Sequence, residues 1–171
     1  MEYKVNAMVQ YSAAGICKIV RTEKKQILQQ EKEYYVLQPM FEKNSTIYVP
    51  TDNADLLSKM RPVLNAEEIH ALIQSIRDDE DIWIEDKQER QTAFRSLLQR
   101  GDRAEIIKLI KAMYLQEKEL HAKGKKLHIA DEKMYKIAQK VLYDEFAFVL
   151  DIQPSEVVPM IMQALEPEVS K

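Results

Sequence analysis

Cysteine, glycine and long apolar runs are what this chain has least of. One cysteine, Cys17, among 171 residues excludes an internal disulfide and points to a reducing compartment, so the cytoplasm is the expected location. No apolar run approaches the roughly 18 residues of a membrane span, and no N-terminal stretch resembles a secretory signal. A soluble protein with no membrane contact is therefore expected. With three glycines there is no glycine-rich phosphate loop, and GxSxG, HExxH and CxxC patterns are missing as well. His70, His121 and His128 are scattered and read as surface histidines. Cys17 falls in a strand-like stretch and reads as a small buried hydrophobe. The expectation is a protein that is not an enzyme and that holds no metal or cofactor.

Charge of one sign is also scarce in total, but not locally. The net charge of −3 argues against non-specific nucleic-acid binding by the chain as a whole. Residues 1–65 sum to +2, residues 66–86 to −7, residues 87–140 to +7 and residues 141–171 to −5. A strongly basic stretch thus lies between two acidic ones. It reads either as a solvated helical surface or as a face for a polyanion.

The pattern of residues changes near position 65. Before it, Val5–Tyr11, Ile16–Val20, Glu33–Leu37, Ser45–Val49 and Arg61–Leu64 read as short strands, with Lys24–Lys32 as a polar connection and a short helix over Asn53–Ser58. Five short strands with frequent turns predict a small antiparallel β-barrel. After it the apolar spacing becomes helical. Asn65 and Glu68 fit a helix start, as do Asp102 and Glu105. Gly101 and Gly124 fit helix ends. A helix from about Asp131 is expected to bury Met134, Ile137, Ala138, Val141, Leu142, Phe148 and Val149, and a last one begins near Ser155. The fold class is α+β, with residues 1–65 as a barrel and residues 66–171 as an all-helical domain.

The single tryptophan, Trp83, follows the acidic run Asp78–Asp81 and precedes the basic block. Two readings stand at this point. The ring is a packing plug between domains, or it is an aromatic wedge for a nucleic acid. The lysines around it, including Lys125 and Lys126 at a turn and Lys133 beyond it, either solvate a surface or track phosphates.

Several stretches together resemble the CarD family. They are Val9-Gln10-Tyr11-Ser12-Ala13-Ala14-Gly15-Ile16-Cys17-Lys18-Ile19, Glu33-Tyr34-Tyr35-Val36-Leu37, Ile47-Tyr48-Val49-Pro50 with Asn53-Ala54, and Met60-Arg61-Pro62. In the second half the matching residues are Trp83, Arg90, Leu97, Gly101-Asp102, Ile106 to Leu109, and Lys140-Val141-Leu142 to Glu145. The first domain of that family is shared with transcription-repair coupling factors. The chain keeps the turn glycine of the family's Tyr-Pro-x-His-Gly but neither its proline nor its histidine, and Tyr48 stands where some members carry a basic residue.

The resemblance implies a Tudor-like barrel that docks on the β subunit of bacterial RNA polymerase. It also implies a helical domain that meets promoter DNA at the upstream edge of the melted bubble, where the family's tryptophan enters the minor groove. On that basis the DNA-contacting residues are expected to be Trp83, Lys87, Arg90, Lys125, Lys126 and Lys133. The polymerase-contacting residues are expected to be Lys25, Ile27 and Tyr48, and the protein is expected to act as a monomer. A non-DNA-binding protein–protein adaptor is the alternative.

Overall fold

A computed structural model of the chain describes residues 2–11 and 14–165. The chain divides into two compact units between Leu64 and Asn65, and the class is α+β.

The first unit is a five-stranded antiparallel sheet in the order β4-β3-β2-β1-β5. Its strands are β1 (Met8–Tyr11), β2 (Gly15–Ile27), β3 (Gln30–Pro39), β4 (Ile47–Pro50) and β5 (Met60–Pro62), with helix α1 (Ala54–Leu57) before β5. Every strand feeds one buried cluster: Val9 from β1, Cys17 and Ile19 from β2, Tyr35 and Leu37 from β3, Val49 from β4 and Met60 from β5. Strands in a flat sheet stand about 4.8 Å apart, so its outer strands would lie nearly 20 Å from each other. Sharing one core therefore requires the sheet to curl, as a Tudor-like barrel does. Tyr3 spans the curled sheet. Its backbone N–H donates to the Tyr35 hydroxyl at 3.2 Å and its own hydroxyl donates to the Met60 carbonyl at 3.0 Å. Cys17 is the buried small side chain expected, and burial pushes its thiol up to about 11.

One sequence expectation is corrected here. Lys24–Lys32 is not a polar connection. Strand β2 continues to Ile27, and Ile27 pairs with Gln30 across a two-residue turn. Leu28 and Gln29 hold φ of 52° and 64°. Tight hairpins of this kind usually carry Asn-Gly or another glycine pair. Here the turn residues carry no such signal, and the alternation of an exposed ribbon is polar on both faces.

The second unit comprises α2 (Ala66–Ser75), α3 (Lys87–Arg100), α4 (Arg103–Ala122), α5 (Ile129–Leu150) and α6 (Pro154–Leu165). Asn65 and Glu68 form a reciprocal cap on α2. Gly101 adopts the left-handed conformation that ends α3, and Asp102 caps α4. Past α4, Gly124 is left-handed, and the Lys125 N–H closes back on the Leu120 carbonyl at 2.8 Å. That bond is the helix-end motif expected of a glycine at this position.

Helix α5 begins two residues before the predicted start. Its cap is His128, which makes no side-chain capping bond, so the sequence carried no start signal there. On α5, Met134, Ala138 and Leu142 are buried as expected, but the rest of the buried face differs from the expected one. Ile137 and Phe148 are exposed, whereas Tyr135, Glu145 and Phe146 are buried. Periodicity alone could not choose between faces separated by a fraction of a turn.

Candidate functional site

The segment between α2 and α3 carries Trp83, and its acidic residues have structural work. Asp81 accepts a hydrogen bond from the Trp83 backbone N–H at 3.1 Å. Asp79 pairs with Lys108 of α4 at 2.9 Å. That hydrogen bond, with Glu105 adding to it, raises the Lys108 pKa above the usual lysine value. Asp86 caps α3 by accepting from the Glu89 N–H. Part of the negative charge next to Trp83 is thus neutralised or turned onto the backbone.

The Trp83 ring is partly buried, and its two ring partners both lie on α3. The Arg90 guanidinium stacks over it at 4.3 Å, and Phe94 meets it edge-on with centroids 6.2 Å apart. A desolvated cation over an indole face contributes on the order of 1–2 kcal/mol. The indole nitrogen is turned inward and has no hydrogen-bond partner among the described residues.

Arg90 is not the surface cation that the sequence reading made of it. It is 3 % exposed and bonded inside the unit. Its Nε and Nη2 grip Asp131 of α5 in a two-pronged ion pair at 3.1 and 2.7 Å. Its Nη1 donates to the carbonyls of Ile84 and Glu85 at 2.9 and 3.1 Å. The guanidinium thus stands inside the unit, with the indole over one face and Asp131 and two carbonyls along its edge, rather than on the exposed surface. Its partner Asp131 is 1 % exposed and was read in the sequence only as a helix start. Forty-one residues separate the two, and no local pattern connects them. A second two-pronged pair, Arg103 to Glu145 at 3.0 and 2.9 Å, joins α4 to α5.

The remaining basic residues do face solvent. Lys87, Lys125, Lys126 and Lys133 are exposed, and among the described residues none of them is ion-paired. Lys87 and Lys133 come together on an open cleft of about 570 Å³, lined also by Leu127, His128, Ile129 and Ala130. The uncapped N-terminus of α5 lies in that lining, so its free N–H groups add positive potential beside the two lysines. Lys125 and Lys126 sit in the adjoining loop between α4 and α5. By contrast, Lys123 and Lys136 are held by Glu119 and Glu132 on their own helices.

On the barrel, Lys25 of β2 stacks over Tyr48 of β4 at 3.7 Å, and Tyr34 meets Tyr48 edge-on at 6.2 Å. Strand β4 is an end strand of the sheet. Ile27 lies two residues beyond Lys25 on the same side of β2 and is exposed at the hairpin end, beside Leu28, which is 92 % exposed. Lys25 and Tyr48 therefore share one surface, while Ile27 belongs to the hairpin end. His70, His121 and His128 are exposed, as expected. Among the described residues no helix is long and apolar enough to cross a membrane.

No curated protein sequence matches the chain at a significant level. Two family models do match. The CarD-like/TRCF RID domain covers residues 3–64, and the CarD C-terminal domain covers residues 71–162. Together they span both structural units in order. The chain belongs to the CarD family of transcription-related proteins that interact with RNA polymerase.

Proposed function

We propose that the protein stabilises the promoter open complex, docking on the β subunit of bacterial RNA polymerase and placing Trp83 at the upstream edge of the DNA bubble. The observation that carries this reading is the setting of Trp83. The ring is braced from behind by Arg90 and Phe94, partly open to solvent, and four residues from exposed Lys87. The end strand β4, with Tyr48 and Lys25, offers backbone groups and flanking side chains for docking by strand addition. Docking raises the local concentration of the helical unit at DNA, which lets an acidic protein use a modest basic surface. No covalent step and no cofactor is needed. The protein acts as a monomer in the bacterial cytoplasm.

Aromatic–base stacking contributes about 1–3 kcal/mol, and about 1.4 kcal/mol is tenfold in an equilibrium. Trp83→Ala is therefore expected to shorten open-complex lifetime about tenfold with purified polymerase and promoter, while polymerase affinity stays unchanged. Equal loss of both activities would return the ring to a purely structural role.

The lysines give a second test. Lys125→Glu combined with Lys126→Glu is expected to weaken promoter engagement and to flatten its dependence on salt. Each lost phosphate contact removes about 0.9 from the logarithmic salt slope. A salt slope equal to that of the unmodified protein would exclude these lysines from the DNA contact.

The adaptor reading is favoured by the exposed apolar residues Ile129, Ile137 and Phe148 of α5, which would suit a protein partner. In that case Trp83→Ala and the lysine pair would both leave open-complex lifetime unchanged.

A further inference from the structure

We infer that Arg90 and Asp131 are positioning residues for Trp83, setting the posture of its ring through a clamp that reaches from α3 to α5. Three observations converge on this. First, Arg90 contacts the indole face, the carbonyls of Ile84 and Glu85 that follow Trp83, and the Asp131 carboxylate. A guanidinium is planar and offers five donors in a fixed fork, so a single side chain fixes ring, backbone and neighbouring helix at once.

Second, the indole nitrogen gains nothing where it sits. It is buried without a hydrogen-bond partner among the described residues, and an unpaired buried donor favours leaving such a place. What retains the ring is therefore the stacked guanidinium and the edge of Phe94, not a bond made by the ring itself.

Third, Asp131 lies in the first turn of α5, two residues from Lys133 and beside the cleft formed with Lys87. The clamp thereby ties the wedge residue to the basic surface, so the two move as one body. Lysine in place of Arg90 keeps the charge but cannot stack as a plane or grip a carboxylate with two prongs.

The functional part of this inference rests on the wedge reading; the positioning part does not. Trp83 is the only tryptophan, so the fluorescence of the intact protein reports on it alone. In Arg90→Lys, acrylamide quenching of Trp83 is expected to rise at least about twofold with a red-shifted emission, while far-UV circular dichroism stays unchanged. Asp131→Asn should shift both readings in the same direction, and it decides the matter if Arg90→Lys does not fold. Glu145→Gln weakens the other two-pronged pair on the same helix and is the control, expected to leave the quenching unchanged. Unaltered quenching in Asp131→Asn and Arg90→Lys, or an equal change in Glu145→Gln, would overturn the assignment. With the wedge reading intact, Arg90→Lys should also shorten open-complex lifetime as Trp83→Ala does. If Trp83→Ala leaves that lifetime unchanged while quenching still responds to Arg90→Lys, the wedge fails and the clamp stands.

Discussion

Asp131→Ala is expected to lower the stability of the helical unit by about 3–5 kcal/mol, the cost of breaking a buried ion pair from one side. The size follows from what is left behind. The side chains of Arg90 and Asp131 are 4 % and 1 % exposed, so water cannot replace the lost carboxylate. The guanidinium would keep the two carbonyls of Ile84 and Glu85, which are dipoles and do not neutralise its charge. Domains of this size are stable by about 5–15 kcal/mol in all, so one substitution removes a large share. Thermal unfolding followed by circular dichroism should show the midpoint fall by roughly 10 °C or more. Replacing both partners together, as Arg90→Met with Asp131→Leu, should recover most of the loss, because no charge then remains to be solvated. A loss below about 1 kcal/mol for Asp131→Ala would put the pair in the class of exposed bridges and contradict its burial.

The second large effect separates two phenylalanines that lie two positions apart on α5. Phe146 has no exposed surface, whereas Phe148 is 43 % exposed. Phe146→Ala should cost about 3–5 kcal/mol through lost burial and the cavity left behind. Phe148→Ala should cost less than about 1 kcal/mol, in the range of surface substitutions. Chemical denaturation of the two variants measures this directly, through midpoints at unchanged slope. The reverse order would restore the helix face that periodicity alone had selected.

That face shows where sequence reasoning fails in this chain. Residues 146 and 148 are both phenylalanine, and each lies at helical spacing from other apolar residues. The choice between them depends on which side of α5 meets α4 and α6, and on Glu145 turning inward to Arg103. A buried carboxylate is the last residue a hydropathy pattern would place in a core, yet its partner comes from another helix 42 residues away. The β2–β3 hairpin failed for a different reason. Its turn holds Leu28 and Gln29 at positive φ without a glycine, so ladder bonds along two long strands override the local preference of the turn.

Other elements were legible because their causes are local. Capping at Asn65 and Asp102, the left-handed end at Gly101, and the alternating core of the sheet depend on residues within a few positions of each other. The candidate site divides along the same line. Trp83, Lys87, Lys125, Lys126 and Lys133 were visible as an aromatic and a set of surface cations. Arg90 was visible as a cation, and only its environment shows that it is buried and paired with Asp131.

The sequence by itself determined a chain of α+β class without an internal disulfide, a change from strand to helix near residue 65, and the basic block after a lone tryptophan. It did so because composition, periodicity and caps act over short distances along the chain. Only the tertiary structure decided that Arg90 faces inward to Asp131, that Asp79 neutralises Lys108, and that Lys87 and Lys133 share a cleft. The residues in each case lie 29 to 46 positions apart in the chain. For Arg90 and Asp131, burial sets the strength of the pair by removing water from both partners, and no reading of neighbours in sequence can assign it.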